Sequence, residues 1–171
     1  MGGSYSQNFQ TDEDGNVYVT ESLDRDYPGG TANWQINVAA SDENGLPGGN
    51  SKTGYGILNY LLDDINDNAP FFDVSTLVGY VPEDSEDGDT FMTVVAFDYD
   101  EGENAEVSYT AQNIPSDDQG ELFSMNSAGV VQTTSNRLNR EEQDMYYMHV
   151  TATDAGENPL SSECFCEFVC E

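Results

Sequence analysis

The densest run of potential ligands in the chain is Asp63-Asp64-Ile65-Asn66-Asp67-Asn68-Ala69-Pro70. It offers hard oxygens from carboxylates and amide carbonyls, and carboxylates packed this closely repel one another in water. A divalent cation reverses that sign, because Ca²⁺ takes about six to eight oxygens from carboxylates, amides and backbone. Pro70 restricts the residue before it and helps hold the segment extended. A solvated acidic linker would explain the octapeptide on its own, but three other clusters tip the reading towards calcium. Asp24 and Asp26 follow a strand-like segment. Asp98, Asp100, Gly102 and Asn104 form an Asp-x-Asp-x-Gly-x-Asn loop after another, and Asp154 closes a third.

Competing chemistries fit less well. Counted from Asp64, an EF-hand would need glycine where Ala69 stands and glutamate where Ser75 stands. Paired carboxylates serve glycoside hydrolysis, but that chemistry also needs a cleft, of which the sequence gives no hint. No nucleophile-elbow, zinc-protease or phosphate-loop pattern is present, so catalysis is not expected. Cys164, Cys166 and Cys170, with His149 distant in sequence, match zinc-site spacing poorly.

The elements that must position these acids read as strands. Apolar residues alternate with period two at Trp34, Ile36, Val38 and Ala40, and again at Tyr146, Met148, Val150 and Ala152. Further strands are expected over Val17–Glu21, Tyr55–Asp63, Phe91–Phe97, Glu106–Thr110, Val130–Thr134 and Glu163–Cys170. Turn signals fall between them at Asp14-Gly15, Asn44-Gly45, Pro47-Gly48-Gly49, Asp87-Gly88 and Ala128-Gly129. Phe9 and Gly15 recur as Phe123 and Gly129, Leu23–Asp26 as Leu138–Glu141, and Trp34–Asp42 as Tyr146–Asp154, a repeat of roughly 110 residues. The expected fold is all-β: tandem antiparallel Greek-key β-sandwich modules of seven strands, of which the first is incomplete. The expected division is 1–63 for the C-terminal part of one module, 64–70 for the linker and 71–171 for a complete module. A half-sandwich leaves a sheet face uncovered, so its missing strands are expected from another chain or fragment.

The chain has 171 residues, with 33 Asp+Glu against 4 Lys+Arg and a formal charge of −29. Nucleic acid and anionic membranes need clustered cations, whereas only Lys52, Arg25, Arg137 and Arg140 are present. No apolar run approaches the roughly 20 residues of a membrane span. With 8 Phe, 10 Tyr and 1 Trp the chain is too aromatic for a disordered acidic tail. The three cysteines share a strand face opposite Glu163, Glu167 and Glu171, which places the thiols towards the core. His149 lies opposite Met148 and Val150 and is expected to face solvent.

These residues resemble the extracellular repeats of cadherins. The junction is similar to the family's D-x-N-D-N-A-P linker, Leu23–Asp26 to its L-D-R-E, and Asp98–Asn104 to its D-x-D-x-G-x-N. Val81-Pro82-Glu83-Asp84 resembles the motif of the basal glutamate, and Ala152–Asp154 the A-x-D. Leu23–Asp26, Trp34, Val38, Asp42-Glu43 and Gly54–Gly56 together are most similar to the type III cadherins of invertebrates.

The resemblance implies up to three Ca²⁺ ions at the junction. Asp24, Asp26 and Asp67 would hold an upper pair, helped by Asp64, Asp100 and the Ile65 carbonyl. A lower ion would take Asn66, Asp98, Asp100, Asp154 and the carbonyls of Asn68 and Asn104. The upper module's basal glutamate would lie before Met1, so only the lower ion has its full set. The implied function is a calcium-rigidified spacer in a cell-surface adhesion receptor, extracellular, with sister repeats and a homophilic partner on another cell. The alternative is a secreted cadherin-like module that recognises carbohydrate or protein, for which exposed aromatic platforms would speak.

Overall fold

The computed structural model describes residues 8–42, 52–114 and 121–171. Turn signals at Asn44-Gly45 and Pro47-Gly48-Gly49 lie outside the described residues. The chain divides into two compact units, Met1–Asp64 and Ile65–Glu171.

Among its described residues the first unit holds two antiparallel ribbons. Strands β1 (Phe9–Thr11) and β2 (Val17–Val19) form one, β3 (Asn33–Ser41) and β4 (Thr53–Leu61) the other. The β1–β2 turn is closed by the Asp12 carboxylate, which accepts the backbone N–H groups of Asp14 and Asn16. Bonds from the Tyr18 hydroxyl and Asn16 pull the Asp12 carboxyl down to about 2. Gly15 takes φ +84° in this turn, and its repeat counterpart Gly129 takes +80°, a conformation that costs glycine nothing. Phe9 packs edge-on against Trp34 at 5.6 Å and stacks with Tyr60 at 6.0 Å. Beside them an open cleft of about 640 Å³ is lined in part by Val17, Val38, Tyr55 and Leu58.

The second unit is a β-sandwich, with seven strands among the described residues. One sheet has the order β5 (Thr76–Val81), β11 (Ser161–Cys170), β10 (Met145–Thr153), β7 (Ser108–Ile114). The other has the order β6 (Thr90–Thr93), β9 (Val130–Thr133), β8 (Phe123–Met125). Strand β5 runs parallel to its neighbour, β11. The core holds Val81, Val94, Phe123, Val131, Met148, Val150 and Phe168. Phe91, Phe123 and Phe168 form a cluster with ring centroids 4.8–5.4 Å apart.

The two ladders repeat one register. Trp34 faces Tyr60 across β3–β4, as Tyr146 faces Phe168 across β10–β11. Yet Phe168 is 0% exposed while Tyr60 is 40% exposed and Tyr55 84%. Among the described residues, the inner face of this alternation is covered in the second unit and half covered in the first. In the second unit, β5 and β7 flank the ladder and the β6–β9–β8 sheet completes the other layer.

Several strand limits depart from the sequence expectations. The expected strand Phe91–Phe97 pairs with β9 only as far as Thr93; beyond it the Val94 N–H goes to the Gly129 carbonyl and Phe97 forms an isolated bridge with Phe71. Val94 and Ala96 stay buried beyond the ladder, so the alternation outlasts the pairing. Strands β1, β5 and β8 were not anticipated. In β5, Val78 and Tyr80 face out and Leu77 and Val81 face in, so both faces are apolar and no alternation signals a strand. The expected Glu106–Thr110 is shifted to Ser108–Ile114.

The three cysteines are buried and free, on the inward face of β11. Burial pushes the Cys166 thiol from its ordinary 9.0 up to about 12, and raises Cys164 and Cys170 as well. At pH 8 a thiol reagent is therefore expected to label none of them in the folded chain and all three after unfolding. For Cys166 the unfolded state ionises first, so this thiol's contribution to stability is complete below about 9 and lost as pH rises towards about 12. His149 lies on the outer face, half-buried, with Nε2 3.3 Å from a Glu163 oxygen and its ring 5.0 Å from Phe165.

Candidate metal centre

In the first unit the acidic residues sit where β2 gives way to the loop leading to β3. Asp26 is buried, and its N–H donates to Asp24 Oδ1 at 3.0 Å. The loop folds back tightly, with Gly30 N–H to the Asp26 carbonyl at 2.6 Å and Thr31 N–H to the Asp24 carbonyl at 3.0 Å. Asp64 follows the end of β4. Arg25 joins the two: Nη1 donates to Asp26 Oδ1 at 3.0 Å and Asp64 Oδ1 at 2.9 Å, and Nε donates to the Leu62 carbonyl. Charge-assisted bonds of this kind offset much of the repulsion between Asp26 and Asp64. This role for Arg25 was missed in the sequence, where it stood only as a letter of a motif. Asp24 is exposed.

In the second unit three segments converge. The linker supplies Asn66 and Asn68, the loop after β6 supplies Asp98 and Asp100, and the end of β10 supplies Asp154. Asp100 and Asp154 are buried. Asp100 accepts the Asn68 backbone N–H at 3.2 Å and its amide Nδ2 at 2.6 Å, and donates its own N–H to Asp98 Oδ1. Asp154 accepts backbone N–H groups from Gly156 and Leu160, each at 3.0 Å, and Asn66 Nδ2 at 3.1 Å. Asn104 stands in the 3₁₀ turn Gly102–Ala105, half-buried. Asp67 and Ile65 are exposed, the Asp67 carboxylate meets Asn68 Nδ2, and the Ile65 carbonyl accepts the Asp67 N–H.

The electrostatics of this second group differ from those of the first. Asp98, Asp100 and Asp154 have no ion pair within their unit among the described residues. Burial raises the Asp98 carboxyl above its usual range, and the charges of Asp100 and Asp154 push it in the same direction. Asp98 Oδ2 and Asn66 Oδ1 are buried with no hydrogen-bond partner. Two orphaned oxygens, three carboxylates and no thiol or imidazole make a donor set suited to a hard cation such as Ca²⁺. The residues present fit that ion.

Gly156 was not anticipated. It is buried, and a Cβ built on it would lie 2.4 Å from Asn66 Nδ2 and 2.8 Å from Asn104 Oδ1. No motif spacing flagged it; the Gly two residues after Asp154 was the available signal.

Comparison with known proteins gives one consistent picture. The cadherin domain family model matches residues 77–169. Neural-cadherin of Drosophila melanogaster is 37% identical over 148 residues, covering 83% of this chain and 5% of that protein. Human protocadherin Fat 4 is 32% identical over 163 residues, covering 95% of this chain and 3% of its own length. The chain thus spans a small fraction of the curated relatives it matches. Among solved structures, mouse cadherin-23 EC22-24 superposes with a TM-score of 0.81 at 25% identity, covering 98% of this chain and 50% of that one.

Proposed function

Because this chain belongs to the cadherin family, we propose that it is a calcium-stiffened stretch of the ectodomain of a cell–cell adhesion receptor, placed outside the cell. The observation that carries this reading is the pair of buried, unpartnered oxygens, Asn66 Oδ1 and Asp98 Oδ2, beside Asp100 and Asp154.

A lower ion is held by Asn66, Asp98, Asp100 and Asp154 with the carbonyls of Asn68 and Asn104. Asp24, Asp26, Asp64, Asp67 and the Ile65 carbonyl, with Asp100, serve an upper pair. Bound Ca²⁺ supplies the positive charge that the acidic residues of the second unit lack. Ligands from both sides of the linker then share ions, which fixes the two units at one angle. Without that charge, repulsion keeps the linker open. The partners in this reading are neighbouring repeats of the same receptor and a homophilic copy on another cell, and the uncovered face of the first unit takes strands from another segment or chain. Among the described residues no helix is long and apolar enough to cross a membrane.

Calorimetric titration of the calcium-stripped chain tests the reading. Saturable Ca²⁺ uptake is expected, reversed by chelator, and a titration without binding heat overturns it. One observation favours a second reading: Tyr80, Tyr147 and Phe165 are exposed on the outer face of the four-stranded sheet. A carbohydrate-recognising module would use such rings, and polysaccharide binding that persists in chelator would support it.

A further inference from the structure

We infer that Gly156 and the Asn158 carbonyl are positioning groups that fix the side-chain amide of Asn66, so that its oxygen and not its nitrogen is offered to a cation. The inference rests on the calcium reading of this site.

The orientation of an Asn amide is decided by its neighbours. Asn66 Nδ2 lies 3.1 Å from Asp154 Oδ1 and 2.9 Å from the Asn158 carbonyl oxygen. Both are acceptors only, so the reversed amide would set oxygen against two oxygens. The two N–H groups are thereby used up and Oδ1 is left buried with no donor facing it. That state costs free energy in a metal-free protein and is recovered by a cation.

Gly156 makes the arrangement possible by what it lacks. Its N–H donates to the same Asp154 oxygen that receives Asn66 Nδ2, so the loop is drawn tightly under the amide. A Cβ there would stand 2.5 Å from Asn66 Cγ and 2.8 Å from Asn104 Oδ1, so the Asn66 amide must move, whereas the end of the Asn104 side chain can turn aside. The backbone φ of Gly156 lies outside the left-handed region, so alanine meets no backbone strain. The requirement is for space.

The test uses the full chain as wild type, Gly156→Ala, Asn66→Ala and the double variant. Two measurements are made: Ca²⁺ calorimetry, and Tb³⁺ luminescence lifetimes in H₂O and D₂O, which count the water molecules on the ion. Gly156→Ala is expected to weaken Ca²⁺ binding by about 10–100-fold, the range found when groups that orient ligands are changed. It should also add water to bound Tb³⁺. Asn66→Ala should weaken binding comparably, and the double variant should be no worse than Asn66→Ala alone, because the methyl group then has no amide to displace. The double variant also folds if crowding impairs the single one. Wild-type affinity and water count in Gly156→Ala, or losses that multiply in the double variant, would overturn the inference. If the wild-type chain takes up neither Ca²⁺ nor Tb³⁺, the calcium reading itself falls and takes this inference with it.

Discussion

Asp154→Ala is expected to weaken calcium binding by about 100-fold or more, beyond the 10–100-fold typical of groups that merely orient a ligand. The carboxylate directly follows β10, whose inward residues Tyr146, Met148, Val150 and Ala152 are all buried, and is itself buried. It accepts from Gly156, Leu160 and Asn66, so its removal strips a charged ligand and loosens a second ligand residue together. The buried Gly156 N–H and the half-buried Leu160 N–H also lose their partner, the buried one costing about 1–3 kcal/mol, so the metal-free second unit should lose stability as well. The two effects separate by experiment: calorimetry at a temperature where the variant is folded reads affinity, and thermal unfolding in chelator reads the scaffold. Asp100→Ala should behave similarly, because Asp100 ties Asn68 to the same group. Unchanged calorimetric binding in either variant would contradict the ligand assignment.

The second large effect concerns stability. Phe168→Ala is expected to cost the second unit about 3–5 kcal/mol, the range for a fully buried aromatic. Phe168 is enclosed by Phe91 at 5.0 Å and Phe123 at 4.8 Å, and the absence of a Cβ on Gly79 makes room for its ring. Tyr60 holds the same register position in the first unit but is 40% exposed. Tyr60→Ala should therefore cost less, since the penalty follows the apolar area removed from water. The single tryptophan, Trp34, lies in the first unit, so its fluorescence follows that unit alone while circular dichroism follows both. Phe168→Ala should move the dichroism transition and leave the Trp34 transition in place; Tyr60→Ala should move the Trp34 transition, with a smaller shift. Equal costs would mean that the first unit's face is covered after all.

Which parts of this were legible in the sequence follows from what each signal measures. Alternation reports burial on one face, so Tyr146, Met148, Val150 and Ala152 announced β10 and its inner side. It does not report backbone pairing, which is why Phe91–Phe97 looked like one strand although the ladder stops at Thr93. Strand β5 escaped because residues on both of its faces are apolar, and β1 and β8, three residues each, are too short to show a period. At the acidic site, the residue types and spacing pointed to oxygen ligands without any geometry. Two features lay beyond that reading. Arg25 bridges Asp26 and Asp64, which are far apart in sequence, and Gly156 acts through an atom it does not have. Neither contact has a local pattern that could reveal it.

The most direct test of calcium-dependent stiffening places spin labels at Gln10→Cys and Gln112→Cys, exposed positions on β1 and β7, and measures their distance distribution by pulsed electron paramagnetic resonance. The native thiols are buried and should not compete for label. A narrow distribution in saturating Ca²⁺ that broadens markedly in chelator is the predicted result. Distributions of equal width in the two conditions would contradict the proposal that calcium holds the units together.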